Sequence, residues 1–360
     1  MKPEEIIHAM TDIDSTFLRE ARTEAAPVRR IRLSIVLAAA LTLATLTATA
    51  FAVGNITGWF RQYFADRSGG PLTPGQEDFI TGYEQTSGKT EQSNGYTITL
   101  ISTIGSPTTT YITLGIEAPK DVSLSDYEAI TGFRLTDSNG IEPYVYSLKK
   151  IEDADGLDNT CGILLIAEPI TSNSTDFWNI QIDALYGENY DEEYEKALIR
   201  DKYAGQPDIT SYTEEEWRRI HQKTLLTEGP WHFRADIRKM DIPDLELIST
   251  PVETNSIKEP ETNAGIGDRL HPVKLISFVL RPLDATITYE LQFGNEDLLG
   301  YLSIYNAPFA HAVMDDGTEI ALRRSLSGNP GQMKLVADTP ILLDQVDYVL
   351  LADGTRLYAP

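Results

Sequence analysis

Cysteine and histidine are scarce in this chain of 360 residues, which contains one cysteine, Cys161, and five histidines. A single cysteine cannot form a disulfide within the chain, and it cannot supply the several thiolates of a zinc or iron–sulfur site. The five histidines show no spacing typical of metal ligands. The sequence therefore predicts no disulfide framework and no cofactor.

Basic residues are also in deficit, with 30 Lys and Arg against 54 Asp and Glu and a net charge of −24. Binding to nucleic acid needs a basic face for the phosphates, so this charge argues against a nucleic-acid partner. The hydrophobic fraction of 41% and the charged fraction of 23% are ordinary for a folded protein. The length fits one large domain or two ordinary ones.

Catalytic motifs are absent from the sequence. There is no G-x-S-x-G elbow, no H-E-x-x-H pair and no phosphate-binding glycine loop. Cys161 stands at the start of an apolar run and is interpreted as a small core residue rather than a nucleophile. We therefore predict a non-enzymatic protein, while an extracellular hydrolase with two converging carboxylates stays open as a third hypothesis.

One long uncharged run is present, covering residues 33–53. Its 21 residues are enough to cross a bilayer as a helix and to contact membrane lipid. Arg29, Arg30 and Arg32 stand directly before it. By the positive-inside rule, the N-terminus is cytoplasmic and residues 54–360 lie outside the cell membrane in a single-pass topology.

The alternative for this run is a cleaved signal peptide, because Ala50, Phe51 and Ala52 match a small-x-small cleavage site. However, the preceding region is 32 residues long and carries six acidic residues, whereas signal peptides usually begin with a short basic segment. A retained anchor is the favoured interpretation. Both alternatives place most of the chain outside the cytoplasm.

The cytoplasmic segment 1–32 is predicted to form an amphipathic helix over residues 3–22. Its apolar residues recur three and four positions apart and form one stripe. The stripe consists of Ile6, Ile7, Met10, Ile13, Phe17, Leu18 and Ala21. Since a short helix is marginal in water, the stripe is expected to dock on another protein, to lie on the membrane or to stay unstructured, and we favour partner binding.

Most of the exterior sequence is predicted to be β structure. Residues 54–92 are expected to form a juxtamembrane spacer, whose aromatic residues Trp59, Phe60, Tyr63 and Phe64 suit a membrane interface. From Gly95 onward, apolar and polar residues alternate in several short runs separated by turn residues, which favours a β-sandwich. The predicted strands of this part cover residues 96–101, 111–116, 133–136, 144–148, 162–167, 178–182 and 231–237.

The first β-sandwich-like domain is predicted at 93–250, with a helical insertion at 189–226 that includes a capping box beginning at Thr213. Residues 251–267 are rich in Pro, Thr, Glu and Asn and are expected to be a linker. A second β domain follows at 268–360. The predicted fold class is thus mainly β, with one N-terminal amphipathic helix, one transmembrane helix and two β-sandwich-like extracellular domains.

An acidic turn is the one candidate metal site in the sequence. Asp153, Asp155 and Asp158 surround Gly156, and carboxylates suit Ca²⁺. An EF-hand alignment on Gly156 fails, because Ile151 and Gly162 then take positions that need acidic ligands. We interpret the segment as an acidic turn, with the three aspartates kept as weak candidates.

Several stretches of the sequence resemble the membrane-bound anti-sigma-factor-like proteins of Gram-positive, Clostridia-type bacteria. The stretches that carry the resemblance are 6–14, 17–21, 94–119, 153–159, 183–187 and 344–355. Such proteins have an exterior domain of unknown function followed by a C-terminal immunoglobulin-like domain, so the resemblance implies an immunoglobulin-like fold for 268–360.

The resemblance implies that the N-terminal segment sequesters a cytoplasmic sigma factor while the exterior senses a signal. The contact residues would be Ile6, Ile7, Met10, Ile13, Phe17 and Leu18 of the apolar stripe. The alternative is a cell-surface adhesion or wall-binding protein, in which the exterior holds an unknown ligand and the N-terminal helix only anchors it. The sequence identifies neither the signal nor the ligand.

Overall fold

The computed structural model describes most of the chain beyond residue 57. The described ranges are 58–106, 108–151, 157–169, 175–202, 212–238, 240–248, 250–258, 270–291, 308–325 and 331–359. The predicted N-terminal helix and the predicted membrane span 33–53 lie outside these ranges. Among the described residues, no helix is long and apolar enough to cross a membrane.

Two helices lead into a first β region, in which two further helices interrupt eight strands. The helices are α1 (Trp59–Ser68), α2 (Pro74–Tyr83), α3 (Glu192–Lys202) and α4 (Glu214–Ile220). The strands are β1 (Gln85–Ser93), β2 (Tyr96–Gly105), β3 (Thr110–Glu117), β4 (Ala129–Thr136), β5 (Tyr144–Ile151), β6 (Thr160–Glu168), β7 (Phe177–Tyr190) and β8 (His221–Asp236).

A second β region completes the described part of the chain. Its strands are β9 (Leu245–Glu246), β10 (Val252–Lys258), β11 (Leu270–Leu280), β12 (Asp284–Leu291), β13 (Pro308–Met314), β14 (Glu319–Arg324), β15 (Gln332–Ala337), β16 (Val346–Leu351) and β17 (Arg356–Tyr358). One turn of 3₁₀ helix, Leu343–Gln345, precedes β16.

The first region is built from two antiparallel sheets that share one core. One sheet has the strand order β1-β2-β3-β6-β5, and the other has the order β4-β7-β8. Large apolar side chains from both sheets meet between them, including Leu114 and Ile163 of the first sheet and Trp178 and Trp231 of the second. Cys161 is buried in the same core, as expected for a small apolar residue.

Strands β2, β3 and β6 are buried almost throughout, because both faces of their sheet are covered. One face packs on the second sheet. The other face contributes Ile104, Tyr111 and Ile166 to a separate core with Phe64 of α1 and Ile80 of α2. This second core also contains Leu283 and Val336 of the second β region, so it joins the two regions.

The aromatic residues of α1 lie in this interior rather than at a membrane interface. Phe60 and Phe64 are completely or almost completely buried, and Trp59 and Tyr63 are also buried. Tyr63 and Phe64 pack against the ring of Tyr111, with ring centroids 5.9 and 5.3 Å apart. Residues 59–64 therefore form part of the folded unit, unlike the spacer that the sequence predicts for 54–92.

Gly162 of β6 provides the space for Trp59, since a Cβ at this position would overlap the indole ring. We expect Gly162→Ala to displace α1 and to lower the free energy of unfolding by about 1–3 kcal/mol, the usual cost of overpacking. The matched control is Gly82→Ala in α2, where an added Cβ meets no neighbour. Urea unfolding of both variants tests this, and an unchanged stability for Gly162→Ala would contradict the packing of Trp59.

The second region is one antiparallel sheet with the order β10-β11-β12-β15-β14-β13-β16-β17, with β9 pairing with β11. Its apolar side chains form a single core. Phe278 and Ile287, from one part of the sheet, share that core with Ala312 and Val349, from the other part. The sheet therefore folds over itself to bury one face.

The mainly β character of the chain is confirmed. The predicted hairpin of residues 96–101 and 111–116 lies within β2 and β3, and the capping box of α4 is present, with both Thr213 and Glu216 bonded to each other's backbone N–H. Within the predicted linker 251–267, residues 252–258 form β10 and pair with β11. The division into two exterior domains stays a prediction.

Candidate functional site

The structure describes few of the site residues that the sequence predicts. The contact stripe, Ile6 to Leu18, and the metal candidates Asp153 and Asp155 lie outside the described residues. Asp158 is described, and its backbone carbonyl accepts hydrogen bonds from Leu124 and Ser125. Within the described ranges, no group of three or more His, Cys, Asp or Glu residues is arranged to hold a metal ion.

A polar groove lies on the outer face of the three-stranded sheet β4-β7-β8. Along β7 and β8, alternate side chains such as Ile180 and Phe233 enter the core, and those between them face outward. The groove has a volume of about 360 Å³. It is lined by Arg134, Thr136, Asn179, Ile180, Gln181, His232, Phe233 and Arg234.

Strand register arranges the polar lining of this groove, hereafter the sheet groove, in two rows. Gln181 of β7 lies opposite Arg134 of β4 on one side and His232 of β8 on the other. Two residues away along β7, Asn179 lies between Thr136 and Arg234 in the same manner. Each row thus places one amide between side chains of the two neighbouring strands.

The two guanidinium groups of the sheet groove are held by contacts at its margins. Arg234 lies over the ring of Phe177, with 3.7 Å between its guanidinium carbon and the ring centroid, and its Nε donates to Asp236 at 2.7 Å. Arg134 lies 3.9 Å from an oxygen of Asp183. Since these ion pairs are largely exposed, they are worth little and leave further N–H donors available to a ligand.

Strand β1 fixes the open edge of β8 beside the sheet groove. A carboxylate oxygen of Glu91 accepts a hydrogen bond of 2.7 Å from the backbone N–H of His232. The ammonium group of Lys89 donates to the backbone carbonyl of Arg234 at 3.2 Å and lies 3.9 Å from Asp236. These contacts provide partners for backbone groups at the edge of β8, and they hold His232 and Arg234, which line the groove, in place.

An aromatic cluster at the ends of β7 and β8 connects the helical segment between these strands to the sheet. The rings of Trp217 and His221 stack with centroids 4.0 Å apart, and Tyr190 lies 5.3 Å from His221. The hydroxyls of Tyr190 and Tyr212 both donate to the carboxylate of Glu195. The cluster lies at the surface, since Trp217 is 51% and Tyr190 37% exposed, whereas Ile220 is the buried apolar residue of α4.

The junction between the two β regions contains buried carboxylates. Asp284 is 2% exposed and accepts hydrogen bonds from Ser106 and Thr108 of the first region, besides an ion pair of 3.2 Å with Arg281. Glu168 is fully buried at the end of β6. Such groups are costly to bury unless they are bonded, so this junction depends on its polar contacts.

Glu168 has the most strongly perturbed carboxyl group at this junction. The hydroxyl of Ser325 in the second region donates to this carboxyl group and lies 2.7 and 2.8 Å from its two oxygens, and Lys334 lies 3.9 Å away. Burial raises the pKa of Glu168 from 4.5 to about 7, although the bond from Ser325 and the charge of Lys334 act in the opposite direction.

Nothing in the sequence pattern indicates the sheet groove, although the same pattern predicts strands at 133–136, 178–182 and 231–237. The outward positions of those strands carry the groove residues, so the alternating pattern already separated them from the core. The missing information was the pairing of β4 with β7 and of β7 with β8, which brings residues 134, 181 and 232 into one row.

No protein-family model matches the chain, and no curated protein matches it. A similar solved structure is that of the conserved domain protein from Bacillus anthracis, which has 13% sequence identity and a TM-score of 0.42. The similarity covers 74% of this chain and 76% of that chain.

Proposed function

We propose that the protein is a single-pass membrane regulator of the anti-sigma-factor-like type. Its N-terminal helix contacts a cytoplasmic sigma factor, and its exterior β regions, the second of them immunoglobulin-like, sense or bind an extracellular ligand. The protein acts as a binding protein rather than an enzyme. The sheet groove is the place on the described exterior where such a ligand would bind.

One observation carries this proposal, namely the order of segments in the sequence. A segment predicted to be a helix with an apolar stripe is followed by three arginines and then by 21 uncharged residues, and a long acidic β-rich region comes after them. Residues 1–32 contain six basic and six acidic residues, so the whole net charge of −24 belongs to the sequence that follows. A balanced helix of this kind suits recognition through its apolar stripe better than attraction to an anionic membrane surface.

Capture of a sigma factor tests the proposal directly. Full-length protein in detergent and a peptide of residues 1–32 are expected to retain a sigma factor of the extracytoplasmic-function class. Phe17→Asp should lower this capture about tenfold, because it places a charge in the centre of the apolar stripe. Ser15→Asp adds the same charge on the opposite face of the predicted helix and should leave capture unchanged.

The second candidate, a surface adhesion or wall-binding protein, makes a different prediction. In that case neither the peptide nor the full-length protein retains a sigma factor, and deletion of residues 3–22 leaves the cell's transcript profile unchanged. The polar lining of the sheet groove supports a binding role for the exterior in either candidate, so the cytoplasmic measurements decide between them.

A further inference from the structure

The sheet groove differs in charge from the protein that carries it. The chain has 54 acidic residues and a net charge of −24. The groove lining that the structure describes nevertheless contains two arginines and one histidine, with no aspartate or glutamate. The acidic partners Asp183 and Asp236 lie at its margins. Each arginine is thus paired with one carboxylate, and its remaining N–H donors are the groups that favour a ligand bearing negative charge.

The remaining groove residues favour a ligand rich in hydroxyl groups. Asn179 offers N–H donors and a carbonyl acceptor, and the hydroxyl of Thr136 both donates and accepts. The amide nitrogen of Gln181 donates to Asp183 at 2.8 Å, so Gln181 offers its carbonyl oxygen and one further N–H. A hydroxyl group on a ligand also donates and accepts, so these side chains can satisfy it in either direction. A lining of arginines alone would fit a free anion equally well, whereas this mixture fits an anion attached to a polyol or a sugar.

The size of the sheet groove sets the length of ligand that it can hold. Neighbouring strands lie about 4.8 Å apart and alternate residues along a strand about 7 Å apart, so the two rows cover roughly 10 by 7 Å. That area matches one or two sugar-sized units. The volume of about 360 Å³ is at the lower end of small-ligand sites.

The guanidinium groups stand at different corners of this area. Arg134 belongs to the first row on β4, and Arg234 belongs to the second row on β8. Arg234 is fixed in orientation by the ring of Phe177 beneath it. Two separated cations suit oxyanions that are spaced along a chain. Double-stranded nucleic acid, which carries one charge per about 1.7 Å of its axis, would instead be repelled by the acidic remainder of the protein.

We infer that the sheet groove binds one or two units of a hydroxyl-rich polymer whose oxyanions are spaced along the chain. Carboxylates of an acidic polysaccharide and phosphodiesters of a polyol phosphate polymer share this chemistry. Arg134 and Arg234 hold the oxyanions, and the amides of Asn179 and Gln181 hold the hydroxyls. The inference rests on the proposed function for the exterior location of the groove, and it names the ligand class of that exterior.

Calorimetric titration of the full-length protein in detergent tests the inference. The probes are an oligogalacturonate, an oligomer of glycerol phosphate and a neutral glucan of similar length. We expect at least one of the two charged oligomers to bind, and the neutral glucan to bind about tenfold more weakly or not at all. The charged oligomer that binds identifies the oxyanion.

The double variant Arg134→Gln, Arg234→Gln should weaken binding of that oligomer about tenfold, and Arg134→Gln alone should have a smaller effect. The matched control is Arg218→Gln, Lys274→Gln, which also removes two exposed cations that are paired with carboxylates elsewhere. This control should bind as the unchanged protein does. Since the side chains of the three arginines are largely exposed and that of Lys274 is partly exposed, unchanged thermal unfolding will confirm that the variants fold.

Three results would overturn the inference, namely no binding of either charged oligomer, equal binding of the neutral glucan, or an unchanged affinity in the groove variant. Capture of a sigma factor by residues 1–32 does not involve the groove. A groove that binds without sigma capture would therefore reject the regulatory function and keep this site. Sigma capture without oligomer binding would reject the site and keep the function.

Discussion

Replacing Asp338 with alanine is expected to lower the free energy of unfolding by about 3–5 kcal/mol, the range found when one partner of a buried ion pair is removed. The side chain of Asp338 is 5% exposed and lies where α1 meets the second β region. Its carboxylate is shared by Arg67, from α1, and Arg323, from β14. One substitution therefore affects two cationic groups together.

The geometry at Asp338 explains why the effect should be large. Nε of Arg67 lies 2.6 Å from Oδ1, and Nε of Arg323 lies 2.8 Å from both carboxylate oxygens. A terminal nitrogen of Arg67 also donates to the hydroxyl of Tyr63 at 2.6 Å, so the arginine is held in place. Loss of the carboxylate would leave two guanidinium groups close together without their shared negative charge.

Urea unfolding, followed by the fluorescence of the four tryptophans, measures the effect, since Trp59, Trp178 and Trp231 are buried in the folded protein. Asp347→Asn is the control, because Asp347 is an exposed residue of β16, and its stability should stay within about 0.5 kcal/mol of the unchanged protein. A double-mutant cycle with Arg67→Gln should give a coupling energy well above zero. Additive effects of the two substitutions would contradict a direct ion pair between α1 and the second region.

The strands of the protein were largely predictable from the sequence because their signal is local. Alternation and turn residues located β2 and β3, together with one part each of β7 and β8, and a capping box located the start of α4 at Thr213. Residues 221–226, which the sequence assigned to the helical insertion, belong to β8. The burial of α1 was harder to predict from the sequence. Its cluster of aromatic residues suits a membrane interface and a protein core equally well, and the space that Gly162 provides for Trp59 lies about a hundred residues away.

The candidate site was not predictable for a related reason. Outward residues of a strand are polar whether they bind a ligand or contact only water, so the sequence does not distinguish the two. Only the register brings Arg134 next to Gln181 and Gln181 next to His232. The buried carboxylate at the junction was unpredictable for the same reason, because Glu168 and Ser325 are 157 positions apart. No residue near Glu168 in the sequence indicates that this glutamate is buried.

The contribution of Glu168 to the free energy of unfolding is expected to fall as the pH rises from 4.5 to about 7. Its pKa is raised by burial from 4.5 to about 7 in the folded state, so folding favours the protonated form. The contribution of this group is therefore fully present below pH 4.5 and is lost as the pH rises through 7. At about 1.4 kcal/mol for each pKa unit, the loss is about 3 kcal/mol.

The groups around Glu168 determine the direction of this effect. Ser325 and Lys334 stabilise the carboxylate, whereas burial and the negative charge of Asp284 oppose it. The buried hydroxyl of Tyr111 is also close enough to interact with it. Burial is the largest of these influences, which is why the pKa rises even though a lysine lies 3.9 Å away.

Comparison of Glu168→Gln with the unchanged protein isolates this titration from that of the other carboxylates. Glutamine cannot ionise, so the stability of the variant relative to the unchanged protein should increase by about 3 kcal/mol between pH 4.5 and pH 8. Glu117→Gln, at an exposed position at the end of β3, should show no such increase. If the relative stability of Glu168→Gln instead fell as the pH rose, Glu168 would be stabilised as a carboxylate. Lys334 would then outweigh the cost of burial, and the junction would be strongest at neutral pH.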